Sequence, residues 1–200
     1  MFTDLLNLPL DRDRASHGDQ TLSLIGMTWD DYENLTQENF GYRISYLNGV
    51  IKIVSPSRNH ERIAEVINGL IKTYCRKYRL DYFPMGSTTL KHPPLAGKEP
   101  DHSFAFVMDK SIPDLAVEVT YTSGSITDLD KYRYLEVKEV WFWSDNKITF
   151  YRLVDGRYQE IEESVCLPKL TTHFLNTFVN RGLTETPLTI EEDFYDSLKL

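Results

Sequence analysis

Two carboxylates stand out in this chain of 200 residues: Asp101, in Glu99-Pro100-Asp101, and Glu118, in Ala116-Val117-Glu118-Val119-Thr120. Each sits in an otherwise apolar run that reads as a strand. Carboxylates are seldom fully buried unless they are paired or hold a metal. Side chains alternate along a strand, so Glu118 shares its face with the smaller Ala116 and Thr120. Asp101 likewise shares a small, polar face with Ser103 and Ala105. If the two strands are neighbours, both acids can converge on one cation. Mg²⁺ (or Mn²⁺) suits such a pair, because it takes oxygen ligands, keeps waters and uses one or two carboxylates. A cation held there would acidify a bound water and stabilise phosphate charge, which is the chemistry of phosphodiester hydrolysis.

That chemistry wants a nearby ammonium group. Two residues after the glutamate stands Thr120, so Lys131, on the short helix that follows, is the nearest lysine able to reach back. His60, at the start of a long helix and near its buried stripe, is a fourth candidate, either aimed at the metal's water or bonded to backbone. The competing reading makes Asp101 a turn residue and Glu118 one half of a structural ion pair with Lys131 or Arg133. Glu99 reads as a surface acid of the loop.

Bulk composition fits a folded, one-domain protein: 26% charged and 41% hydrophobic residues. No apolar run reaches the ~20 residues of a membrane helix, and the first residues lack a secretion signal. Cys75 and Cys166 read as reduced thiols of a cytoplasmic protein. The net charge of −8 argues against a nucleic-acid partner, but residues 52–98 carry nine Lys/Arg against three acids. That local +6 leaves −14 elsewhere and is compatible with a polyanion.

The elements that must position these residues follow from pattern. Residues 1–25 show no sustained period, and Arg12 to Gln20 reads as a mobile loop. Thr28 caps a short helix with acids in its first turn. Tyr42–Leu47 and Val50–Val54 flank Asn48-Gly49, a hairpin turn. Apolar residues from Ile63 to Tyr78 keep helical spacing over His60 to Arg79. Strands are expected over 81–90 (Pro84 marking an edge or bulge), 101–107, 115–121, 137–143, 148–153 and 157–161. A turn at Thr122-Ser123-Gly124-Ser125 leads into a helix over 127–135. Phe174 to Val179 predict a helix ending at Gly182, and the acid-rich remainder reads as a peripheral tail. The expected fold is α+β: a mixed central β-sheet flanked by helices, with an N-terminal β-hairpin and a C-terminal helix. The expected division is an N-terminal extension over 1–26, the main domain over 27–183 and an acidic tail over 184–200.

The Pro-Asp…Glu order is that of PD-(D/E)XK nucleases. Together with Tyr46-Leu47-Asn48-Gly49-Val50-Ile51, Ser55-Pro56-Ser57 before His60, Pro113-Asp114 ahead of the glutamate strand, and Val137-Lys138-Glu139-Val140-Trp141-Phe142-Trp143, it resembles the Uma-type family of "putative restriction endonucleases" over about residues 27 to 180. The resemblance implies a restriction-endonuclease-like core, Asp101 and Glu118 as metal ligands, DNA as substrate and a homodimer. Three positions depart from the family's pattern. Ser45 replaces an acid before the hairpin turn, Asp128 replaces a lysine, and His102 replaces an acid after Pro-Asp. Lys131 lies on nearly the same helix face as position 128 and could substitute. A degenerate nuclease scaffold that serves as a binding or regulatory module is the alternative, and a purely structural dimerising protein is a third.

Overall fold

The computed structural model describes residues 18–38, 41–121 and 128–199. Two sheets organise them. The smaller is antiparallel, in the order β1-β3-β2-β6-β5: β1 (Gln20–Ile25), β2 (Arg43–Leu47), β3 (Val50–Ser55), β5 (Leu90–His92) and β6 (Ala96–Lys98). The larger is mixed, in the order β11-β10-β9-β8-β7-β4, from β4 (Tyr82–Pro84), β7 (His102–Phe106), β8 (Leu115–Thr120), β9 (Glu139–Ser144), β10 (Lys147–Val154) and β11 (Arg157–Ile161). Only β8 and β9 run parallel among these pairings, joined across the helix α3 (Asp128–Leu135).

Local chemistry explains the main elements. Thr28 and Asp31 form a reciprocal cap on α1 (Trp29–Gln37), satisfying backbone donors that a helix start leaves open. Asn48 (φ 43°) and Gly49 (φ 87°) take the left-handed conformations that close the β2–β3 hairpin. Helix α2 (Arg58–Tyr78) begins at Ser57, whose hydroxyl accepts the His60 amide, and ends at Arg79 in the left-handed region. One face of α2, with Ile63, Ile67, Leu70 and Ile71, packs on the larger sheet through Val117, Val119, Trp141 and Trp143. The opposite sheet face carries α3, where Tyr132 and Leu129 meet Ala116 and, from the smaller sheet, Leu90. Helix α3 therefore lies in the seam between the sheets. The edge position of β4, with Pro84, is as its proline demands.

Several expectations are corrected. The N-terminal hairpin, expected beside the mixed central sheet, builds a second sheet, pairing outward with β1 and inward with β6. The strand expected over 81–90 splits into β4 and β5, one in each sheet. Residues 20–25 form a strand, with Leu22 and Leu24 turned toward the Tyr32 cluster and Thr21 and Ser23 exposed. The acidic tail is helical: α4 (Thr172–Val179) and a 3-10 turn over 180–183 lead to α5 (Pro187–Ser197), whose Ile190 and Phe194 are fully buried in the main core. The expected turn at 122–125 and most of the expected loop over 12–20 lie outside the described residues. No helix among the described residues is long and apolar enough to cross a membrane.

Candidate active site

The chain crosses from the smaller sheet to the larger at Glu99-Pro100, between β6 and β7, and the site forms at that crossing. In the β7–β8 register His102 opposes Val117 and Ser103 opposes Ala116, and Asp101 stands just before β7, bonded to the Val117–Val119 stretch of β8 that contains Glu118. The Asp101 amide donates to the Val117 carbonyl at 3.1 Å, and Asp101 Oδ2 accepts the Val119 amide at 2.7 Å. Glu118 faces α3, where it meets Tyr132, whereas Asp101 meets His60 at the start of α2, and both carboxylates are almost fully buried. They border a cavity of about 30 Å³, shared with Asp19, Arg43, Lys52, His60, Lys98, Thr120 and Asp128. That is room for a water or an ion.

Each acid is already held by side-chain cations. Asp101 Oδ1 lies 3.3 Å from Arg43 Nε and 3.0 Å from His60 Nε2. Glu118 Oε2 lies 2.9 Å from Lys98 Nζ, while Oε1 accepts the Tyr132 hydroxyl. Asp128, at the start of α3, pairs with Lys131 and reaches Lys52 at 3.6 Å. On the far side of His60, Nδ1 meets Asp19 Oδ2 at 3.0 Å. Asp19 itself accepts the amides of Ser57 (2.8 Å) and Tyr121 (3.1 Å), tying the start of β1 to α2 and to the end of β8.

The charges follow from this packing. Burial opposes ionisation of Asp101, but the His60 imidazolium, Arg43 and Lys98 outweigh it and hold the carboxyl below its usual range. Burial likewise disfavours the His60 cation, and Asp101 and Asp19 reverse this, raising the imidazole to about 10. His60 is therefore a cation at neutral pH. Burial pushes the Glu118 carboxyl up to about 7, Lys98 opposes the rise, and Asp101 and Asp128 add to it. Burial resists charge on Lys98 too, yet Glu118, Asp128 and Asp101 keep its ammonium well above its ordinary range.

All four residues singled out from sequence gather here, but not in equal positions. Asp101, Glu118 and His60 border the cavity; Lys131 stands behind it, bound to Asp128. The lysine on Glu118 is Lys98, from the other sheet, in place of the Lys131 or Arg133 partner considered from sequence. Glu99 is structural: its carboxylate accepts the Ile44 amide and the Thr89 hydroxyl, each at 3.0 Å. Lys98, Asp19, Arg43 and Tyr132 were not singled out, and only the position of Lys98 three residues before Asp101 offered a signal. Among the described residues no three His, Cys, Asp or Glu side chains form a ready-made metal cage.

A family model described as "Putative restriction endonuclease" (Uma2) matches residues 29–183. The chain belongs to the Uma2 family. It is restriction-endonuclease-like in that sense, and the expected α+β fold with its N-terminal hairpin and C-terminal helix is the one found. The crystal structure of a "putative nuclease belonging to DUF820" from Anabaena variabilis ATCC 29413 is similar with a TM-score of 0.56 and 15% identity, covering 76% of this chain and 99% of that one. At that identity the likeness is one of fold. None of the curated proteins matches the chain.

Proposed function

We propose that this member of the Uma2 family is a divalent-metal-dependent endonuclease that hydrolyses phosphodiester bonds of DNA. One observation carries the reading: two buried carboxylates, Asp101 just before β7 and Glu118 in the neighbouring β8, border one ion-sized cavity beside a buried ammonium group. The donor set fits a hard cation. Asp101 and Glu118 would hold Mg²⁺ (or Mn²⁺) through carboxylate oxygens, which accept more than one partner each. Bound there, the ion would acidify a water and neutralise phosphate charge.

The chain's own residues have separable roles. Arg43 and the Asp19–His60 pair fix the orientation of Asp101. His60 Nε2 lies 3.0 Å from Asp101 Oδ1, so the imidazole holds that carboxylate by charge while bordering the cavity. In the metal-free site Asp101 and Asp19 keep His60 protonated at neutral pH, so it stands there as a cation beside the cavity. Lys131 acts through Asp128 as a positioning group. Homodimers, as the family resemblance implies, belong to the same proposal and are tested by sedimentation.

The test is incubation of the protein with supercoiled plasmid and with single-stranded DNA, in Mg²⁺, Mn²⁺ or chelator. Metal-dependent cutting that disappears in Asp101→Ala and in Glu118→Ala is the expected result. Cutting retained in both variants overturns the assignment. A specific observation favours a second reading, a nuclease scaffold kept for binding. Every carboxylate at the cavity already has an internal cation, and Asp128 stands where the family resemblance calls for lysine. DNA binding that is indifferent to chelator, without cutting, would select it.

A further inference from the structure

Lys98 is the least expected member of the site. It is 7% exposed and projects from β6 of the smaller sheet onto Glu118 of the larger, with Asp101 and Asp128 bordering the same cavity. Among the described residues no other ammonium contacts Glu118, and Asp128 is served by Lys52 and Lys131. Four carboxylates (Asp19, Asp101, Glu118, Asp128) thus face Arg43, Lys52, His60, Lys98 and, through Asp128, Lys131.

A dication entering beside Asp101 brings excess positive charge that a phosphodiester and a hydroxide offset. A second dication, on the side of Glu118 away from Asp101, would have to take the place that the Lys98 ammonium already occupies 2.9 Å from Glu118 Oε2, and like charges at such a distance repel strongly in a buried setting. Nor is there another carboxylate without a partner to receive it among the described residues that border the cavity. We propose that the Lys98 ammonium permanently fills the place of a second metal ion, so that the site takes a single divalent cation per chain, at Asp101 and Glu118. The fixed charge then faces Glu118 and Asp128, where a second ion would otherwise sit. This rests on the metal-dependent reading above and deepens it.

Binding stoichiometry tests the assignment without reference to cutting. Metal-free full-length protein is titrated with Mn²⁺, followed by calorimetry and by the electron paramagnetic resonance signal of free Mn²⁺. Wild type is expected to bind one ion per chain, and Lys98→Met a second ion, which is lost again when Asp128→Asn is added. Two ions on wild type, or no gain in Lys98→Met, overturns the Lys98 assignment and leaves the metal site standing. No ion on wild type removes the metal reading and this inference together. Lys98→Arg keeps the charge and must bind one ion; two ions there overturns the proposal even if Lys98→Met does not fold.

Discussion

Lys98 and Glu118, 2.9 Å apart, tie the two sheets together at the seam where the chain crosses between them. Breaking a buried ion pair by removing one partner strands the other, which costs ~3–5 kcal/mol, whereas replacing both with apolar groups is often neutral. Lys98→Met should therefore lower stability in urea by an amount of that order, and Lys98→Met with Glu118→Leu by clearly less. Equal losses in the single and double variants would show that the pair is not what holds the seam.

Gly97 precedes that lysine and opposes Tyr46 in the β2–β6 pair. A Cβ at Gly97 would overlap the ring of Tyr32, which is fully buried against Tyr46 and Trp29. Overpacking of this kind costs about 1–3 kcal/mol, so Gly97→Ala should destabilise the protein by that much in chemical denaturation. The Tyr32 hydroxyl has no hydrogen-bond partner among the described residues. Tyr32→Phe should accordingly be neutral or stabilising by ~1 kcal/mol, and Tyr32→Leu should relieve Gly97→Ala.

His60 sets a pH dependence in the metal-free protein. Its folded value of about 10 lies above the ordinary 6.5, so its contribution is complete below 6.5 and disappears as pH rises through 10. With chelator present, wild-type stability should fall between pH 7 and 10. His60→Gln should be less stable at pH 7 and nearly flat across that window, as read by thermal melts. A wild-type slope that survives the substitution would assign the titration elsewhere.

Cys75, buried on α2, has its thiol pushed up to about 12 by burial. Since the thiolate is the reactive form, Cys75 should resist a disulfide reagent at pH 8 in the native state and react at once in denaturant. The rate of slow native labelling then reports opening of α2 from the sheet. Fast labelling of Cys75 in the folded protein would contradict its placement.

What the sequence made legible was local or periodic. The Asn48-Gly49 turn, the apolar stripe of α2 and the alternation around Trp141 and Trp143 appear where the pattern places them. Alternation also predicts that Asp101 and Glu118 approach one another, and both border the same cavity, although β7 begins one residue after Asp101. Lys98 escaped notice because its partner lies in the other sheet and because β6, Ala96-Gly97-Lys98, is too short to show a period. Helix α5 was masked by its acids: Ile190 and Phe194, one turn apart, are its whole buried stripe. Asp19 was invisible for a different reason, since its partners, Ser57 and His60 at the start of α2 and Tyr121 at the end of β8, are all distant along the chain.

Asp19 also lies ahead of residue 29, where the family match begins. A fragment cut to the matched segment would keep both facing acids yet leave the imidazole without its outer anchor, and the amides of Ser57 and Tyr121 without their acceptor. Such a trimmed protein would be a poor proxy for the intact one: its failure in an assay would reflect a missing brace upstream, and say nothing of the chemistry it was meant to probe.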